Sequence, residues 1–184
     1  YAAGIYDINK SVEELFAPIE TRVVELQTGE YITDGSIQPD SYNQLKAALS
    51  KDDGRPLEKD KDIAKLRYLE KYSLVYLVKE GDRIQQIILP VRGKGLWSTM
   101  YAYVALDGDL TTIRGVSFYQ HGETPGLGGE IENQRWQDGW KGKKVYDESG
   151  EVGLQIVKGG SADDGQVYQI DGLSGATLTT NGVN

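Results

Sequence analysis

Two pairs of apolar segments, each pair joined at an acidic, glycine-centred break, constrain this chain more than any other feature. Tyr72–Lys79 and Arg83–Val91 flank Glu80-Gly81-Asp82, and Tyr101–Leu106 and Thr111–Tyr119 flank Asp107-Gly108-Asp109. Segments rich in β-branched and aromatic residues, separated by so short a polar break, read as hairpins. Two hairpins in succession, without the helical spacing of βαβ units, predict an antiparallel sheet. Smaller elements surround it. A helix is expected over 9–17, capped by Ser11, with Glu13 and Glu14 in its first turn. Val23–Leu26 reads as a short strand, and 41–50 as a helix capped by Asp40 or Ser41. The charge-dense stretch 51–71 reads as a solvated helix and loop, the helix running through Ile63, Leu66 and Leu69. A further helix is expected over 130–140, burying Ile131, Trp136 and Trp140, with strands at Val152–Val157 and Val167–Ile170. The predicted class is α+β: a mostly antiparallel sheet built from hairpins, with packed helices. Residues 1–70 are expected to form a helical and loop region packed on the core, and 71–184 the main domain.

Composition narrows the function. The 184 residues suit one domain with a small appendage, and a 39% apolar content supports a packed core. A formal net charge of -8 offers no broad basic field for nucleic acid. The chain has no cysteine and one histidine, His121, which excludes disulfides, thiolate and multi-histidine metal sites. No apolar run approaches the roughly 20 residues needed to cross a bilayer. The only methionine is Met100, so a start upstream of Tyr1 is expected, and with it room for a membrane anchor. The chain is also expected to continue past Asn184.

Three constellations carry possible chemistry. The first is Asp171-Gly172-Leu173-Ser174-Gly175-Ala176-Thr177-Leu178-Thr179, small residues and hydroxyls following an apolar strand. Such a segment can place a hydroxyl at a helix start, where a phosphate would be stabilised by open amides. Two readings stand on the residues alone: Ser174 or Thr177 caps the helix, or Thr177 binds or accepts a phosphate. The second is His121-Gly122-Glu123-Thr124-Pro125-Gly126-Leu127-Gly128, where Pro125-Gly126 marks a turn with positive φ at Gly126. His121 reads as a strand-end or surface histidine rather than a catalyst. The third is Arg92-Gly93-Lys94-Gly95-Leu96-Trp97-Ser98-Thr99-Met100-Tyr101, whose Gly-x-Gly is by itself weak evidence for phosphate binding. Lys158, in Val157-Lys158-Gly159-Gly160, reads either as a solvated lysine or as a cation facing an anionic group.

Asp-Gly-Leu-Ser-Gly-Ala-Thr resembles the flavinylation motif of the FMN-binding domains in redox-driven ion pumps, and Glu-Thr-Pro-Gly-Leu-Gly is similar to a second loop of that family. Within it, Arg-Gly-Lys-Gly-Leu-Trp resembles the C-type subunits of sodium-translocating NADH:quinone reductases more than their sister G-type subunits of the Rnf complex, which stand as the near alternative. A non-covalent flavin-binding module is a further alternative. The resemblance covers most of residues 70–184 and is weaker over the first 70.

The resemblance implies FMN joined to Thr177 as a phosphoester, installed from FAD by a separate flavin transferase, and an apo protein when that enzyme is missing. It implies a cofactor site of Asp171, Ser174, Gly175, Ala176, Leu178 and Thr179 around Thr177, with Glu123, Thr124 and Leu127 near the isoalloxazine, Lys158 near the flavin, and Gly95, Leu96 and Trp97 beside it. No catalytic side chain and no metal are implied. The expected role is an electron-relaying subunit within NADH:quinone oxidoreductase, not catalytic alone and coupled to sodium transport. Its expected partners are the other subunits and the transferase. Its expected place is the periplasmic side of the bacterial inner membrane, held by an N-terminal helix.

Overall fold

The computed structural model describes residues 2–4, 11, 14, 17–50, 52–160, 162 and 165–184. The centre is a five-stranded sheet in the order β1-β4-β5-β6-β7: Ile19–Glu25, Tyr72–Glu80, Arg83–Lys94, Thr99–Asp107 and Ile113–Gln120, antiparallel throughout. The two predicted hairpins are β4–β5 and β6–β7. Gly81 takes a φ of +59° in the first turn. In the second, the positive φ falls on Leu110 rather than on glycine. There Asp109 accepts hydrogen bonds from the Thr111 and Thr112 amides at 2.9 and 2.8 Å, which holds the turn. Gly108 is required for a different reason: a Cβ there would lie 2.6 Å from the Ile84 carbonyl oxygen.

β1 completes the sheet from within the first 70 residues, pairing Val23 with Leu74. α1 (Gln44–Leu49) follows, capped by the Asn43 side chain, which accepts from the Lys46 amide. Asn43, not Asp40 or Ser41, is therefore the cap. The helix predicted through Ile63, Leu66 and Leu69 does not form. β2 (Gly54–Pro56) and β3 (Tyr68–Glu70) pair instead, leaving a loop between them. The Asp62 carboxylate accepts the Leu66 and Arg67 amides, both at 2.7 Å, and Lys65 and Arg67 have positive φ. A side chain that captures backbone donors in this way competes with the helix. The helix expected over 9–17 lies largely outside the described residues. Ser11 and Glu14 nevertheless exchange the reciprocal bonds of a capping box.

One sheet face carries the main core. Ala102, Leu106, Ile113 and Val116 pack with Trp140 and Ile170, and Leu89, Val104, Phe118 and Trp136 close the cluster. Ile113 and Ile131 are fully enclosed, and burial of each such side chain stabilises the fold by about 1.5–3 kcal/mol. The segment expected as one helix over 130–140 is two elements, a 3-10 turn at Gly128–Glu132 and α2 at Gln134–Asp138. Asn133 divides them, because its side chain caps α2 by accepting from the Arg135 amide. Across this core lie β8 (Gln155–Val157) and β9 (Gln169–Asp171), shorter than predicted and paired in parallel. α3 (Thr177–Val183) then runs back along β5.

Candidate functional site

β9 delivers the chain to the Asp171–Thr177 segment. The Gly172 amide donates to the Val157 carbonyl at 2.7 Å, and the Ala176 amide closes a turn onto the Leu173 carbonyl. Gly175 has a φ of +75°. The Leu173 amide donates to Thr180 Oγ1 at 3.2 Å, tying the loop to the helix it enters. α3 begins at Thr177 with Ala176 as its cap residue and no side-chain cap bond. Neither Ser174 nor Thr177 caps the helix. The Thr177 side chain is exposed, and its hydroxyl has no hydrogen-bond partner among the described residues.

Thr177 lines a cavity of about 420 Å³ together with Ser174, Gly175, Lys158, Gly159 and Asn181. On the other side of α3 a cavity of about 410 Å³ is lined by Leu178, Gly95, Leu96, Lys94 and Lys65. Four large apolar side chains from the three motifs stand in solvent: Leu96 (47% exposed), Trp97 (66%), Leu127 (48%) and Leu178 (54%). Leu127 sits beside the threonine loop, since a Cβ on Gly175 would lie 3.5 Å from its Cδ2. Thr124 is also exposed, and its carbonyl accepts the Leu127 and Gly129 amides across the Pro125-Gly126 turn. Gly126 has the positive φ expected of it, +76°.

Glu123 and Thr179, by contrast, are buried. Glu123 Oε1 accepts the amides of Trp97 (2.9 Å) and Ser98 (3.2 Å). Its Oε2 accepts the Leu96 amide (3.1 Å) and the Thr179 hydroxyl (2.6 Å). Burial raises the carboxyl's pKa, but these donors outweigh it and hold the group below its usual 4.5. His121 supports the same loop: Nδ1 accepts the Glu123 amide at 3.1 Å, and Nε2 lies 2.9 Å from Glu132 Oε1. Asp171 sits apart from Thr177. It lines a separate cavity with Asn133, Arg135 and Trp136, its carbonyl accepts Trp136 Nε1 at 2.7 Å, and Oδ1 accepts the Ala162 amide.

The sequence places Ser98 in the third segment without a role; its Oγ accepts the Gly122 amide at 2.6 Å and so joins the Trp97 loop to the second motif. Thr180 and the Trp136 contact carry no sequence signal either: Trp136 bonds a carbonyl 35 residues away, and Thr180 an amide seven residues before it across the Ser174-Gly175 turn.

The arrangement fits a flat, phosphorylated cofactor. An unengaged hydroxyl and a lysine line the same cavity, and exposed apolar side chains stand nearby. Residues 95–184 match the FMN-binding domain family, the class that fold and site define. Among curated proteins, the C-type subunit of the Vibrio alginolyticus Na(+)-translocating NADH-quinone reductase is 47% identical over 182 residues, spanning 98% of this chain and 70% of the relative. That of Pseudomonas aeruginosa is 46% identical over 179 residues, spanning 95% and 67%. A crystal structure of Shewanella oneidensis NqrC superposes with a TM-score of 0.87 at 33% identity, covering 98% of this chain and 83% of that one. The corresponding Parabacteroides distasonis protein superposes at 0.70 and 28% identity, covering 99% and 82%. The chain belongs to the NqrC family, the C-type subunits of Na(+)-translocating NADH-quinone reductases.

Proposed function

We propose that this chain carries FMN as a phosphoester on Thr177 and relays electrons with it inside a sodium-translocating NADH-quinone reductase. As a member of the NqrC family it acts as one subunit of that complex and is not catalytic alone. FMN supplies one- and two-electron chemistry when bound. The observation that carries the reading is the Thr177 hydroxyl, exposed at the start of α3 without a hydrogen-bond partner among the described residues.

Attachment requires a flavin transferase and FAD. The Thr177 oxygen forms a bond to the FMN phosphorus as the pyrophosphate bond of FAD breaks. AMP leaves and the hydroxyl proton is released. Lys158, on the same cavity, would oppose the phosphate charge or negative charge on a reduced ring. Leu96, Trp97, Leu127 and Leu178 would offer apolar surface to the ring while leaving it open to a neighbouring carrier. An ester suits a fixed relay, because it prevents loss of the group between turnovers.

The family resemblance supports placing the domain on the periplasmic side of the inner membrane, attached by an N-terminal helix. Among the described residues no helix is long and apolar enough to cross a membrane. The flavin-binding unit is 71–184, with β1 from the preceding residues completing its sheet.

Intact mass after co-expression with a flavin transferase tests the central claim. The parent should gain the mass of one FMN ester and fluoresce on a denaturing gel, and Thr177→Ala should do neither. Retention of the increment in Thr177→Ala would assign the ester to another residue.

A further inference from the structure

Glu123 lies within a loop expected to face the flavin, yet its carboxylate points into the protein and is fully engaged there. It accepts four hydrogen bonds, three from the Leu96, Trp97 and Ser98 amides and one from the Thr179 hydroxyl. All three motif segments meet at this one group. The Leu96–Ser98 loop supplies the amides, and Thr179 lies two residues beyond Thr177 on α3. Glu123 itself anchors the loop that ends in Leu127.

The glycines around it make the same point sterically. A Cβ on Gly95 would lie 2.6 Å from Glu123 Oε1. A Cβ on Gly128 would collide with the Thr179 hydroxyl and lie 3.0 Å from Glu123 Oε2. Both motif glycines therefore leave space for the carboxylate and its partner, rather than only for a ligand. Four donors converging on two oxygens require an ionised carboxylate, since an amide presents a donor of its own on one side.

We infer that Glu123 is a positioning residue for the flavin: through Thr179 it fixes Thr177 against the Leu96–Trp97 and Thr124–Leu127 loops, and so fixes the surroundings of the ring without touching it. The inference rests on Thr177 as the bearer of FMN. Thr177 lies two residues from a buried anchor, while its own side chain is exposed. The pair thus combines a rigid base with an accessible attachment point. Loss of the anchor leaves the attachment hydroxyl in place and loosens the frame around the group it carries.

The test uses protein co-expressed with a flavin transferase, with Glu123→Gln, Thr179→Val and Thr179→Ser compared to the parent. Folding is checked by far-ultraviolet circular dichroism and covalent FMN by intact mass. The decisive readouts are the visible circular dichroism of the flavin and its midpoint potential, which a purely structural bond far from the ring would not move. The flavinylated Glu123→Gln and Thr179→Val proteins should lose at least half of the visible dichroic signal and shift in potential in the same direction, and Thr179→Ser should restore both. Folded variants with the parent's signal and potential would overturn the inference. If Glu123→Gln does not fold, Thr179→Val decides alone, because its methyl replaces one hydroxyl and leaves the three amide bonds. A mass increment persisting in Thr177→Ala would instead defeat the attachment reading, and is recognised separately from any result at Glu123.

Discussion

Gly182 of α3 and Gly93 of β5 pack backbone against backbone: a Cβ on Gly93 would collide with the Gly182 carbonyl, and one on Gly182 with the Lys94 carbonyl. No side chain separates the helix that begins with Thr177 from the strand that leads into the Leu96–Trp97 loop. Helix propensity alone favours Gly182→Ala by about 1 kcal/mol. The steric conflict predicts the opposite, a loss of about 1–3 kcal/mol as α3 is pushed off β5. Urea denaturation decides the sign. Asn181→Ala, at the exposed neighbouring position, should stay within about 0.5 kcal/mol of the parent.

Glu70 and Arg92 form a second tie, between β3 and β5. Both side chains are at least nine-tenths buried, with Arg92 Nη1 2.9 Å from Glu70 Oε1 and Nη2 bonded to Oε2. Gln44 of α1 donates to the same carboxylate and accepts the Leu74 amide. Glu70→Ala leaves a guanidinium buried without its counter-charge and should cost about 3–5 kcal/mol. Glu70→Leu with Arg92→Met removes both charges, and should recover much of that loss in the same thermal melt.

The hairpins were legible because their information is local: alternation along β4 to β7, and acidic-glycine turns between them. The Thr177 and Glu123 segments were legible as contiguous motifs. Between 51 and 71 the outcome depended on Asp62 capturing two amides and on β3 being held by Arg92, contacts that a periodicity does not record. Thr177 itself was ambiguous between cap and acceptor until Ala176 was found at the cap position. Ser98 and Trp136 stood within the predicted segments, but the contacts they make were unreadable for a related reason. Their backbone partners lie 24 and 35 residues away, and serine and tryptophan at such positions match no spacing rule.

Glu123 also gives the fold a pH dependence of definite sign. Its carboxyl is held below the usual 4.5 in the folded chain and returns toward that value on unfolding. The unfolded state therefore binds the proton more readily, and the stabilisation is complete above pH 4.5 and lost as pH falls through the lower folded value. Unfolding free energy of the parent should fall on acidification below 4.5 more steeply than that of Glu123→Gln. Parallel pH profiles for the two proteins would remove Glu123 as a source.

Lys158 offers an electrostatic test that leaves the fold alone. It is exposed, follows β8 directly, and lines the cavity that holds Thr177. A cation there stabilises the more negative, reduced form of a flavin attached to Thr177 over the oxidised form. At the effective dielectric of a protein surface the interaction amounts to about 1 kcal/mol, or about 20 mV for a two-electron couple. Lys158→Gln should lower the midpoint potential by about that amount, leave the covalent mass increment intact, and leave the melting temperature near the parent's. Raising ionic strength should shrink the difference between the two proteins, because a charge this exposed is screened within about 10 Å at 0.1 M salt. A potential unchanged by the substitution at low salt would place the ring outside the reach of Lys158, on the Leu178 side of α3.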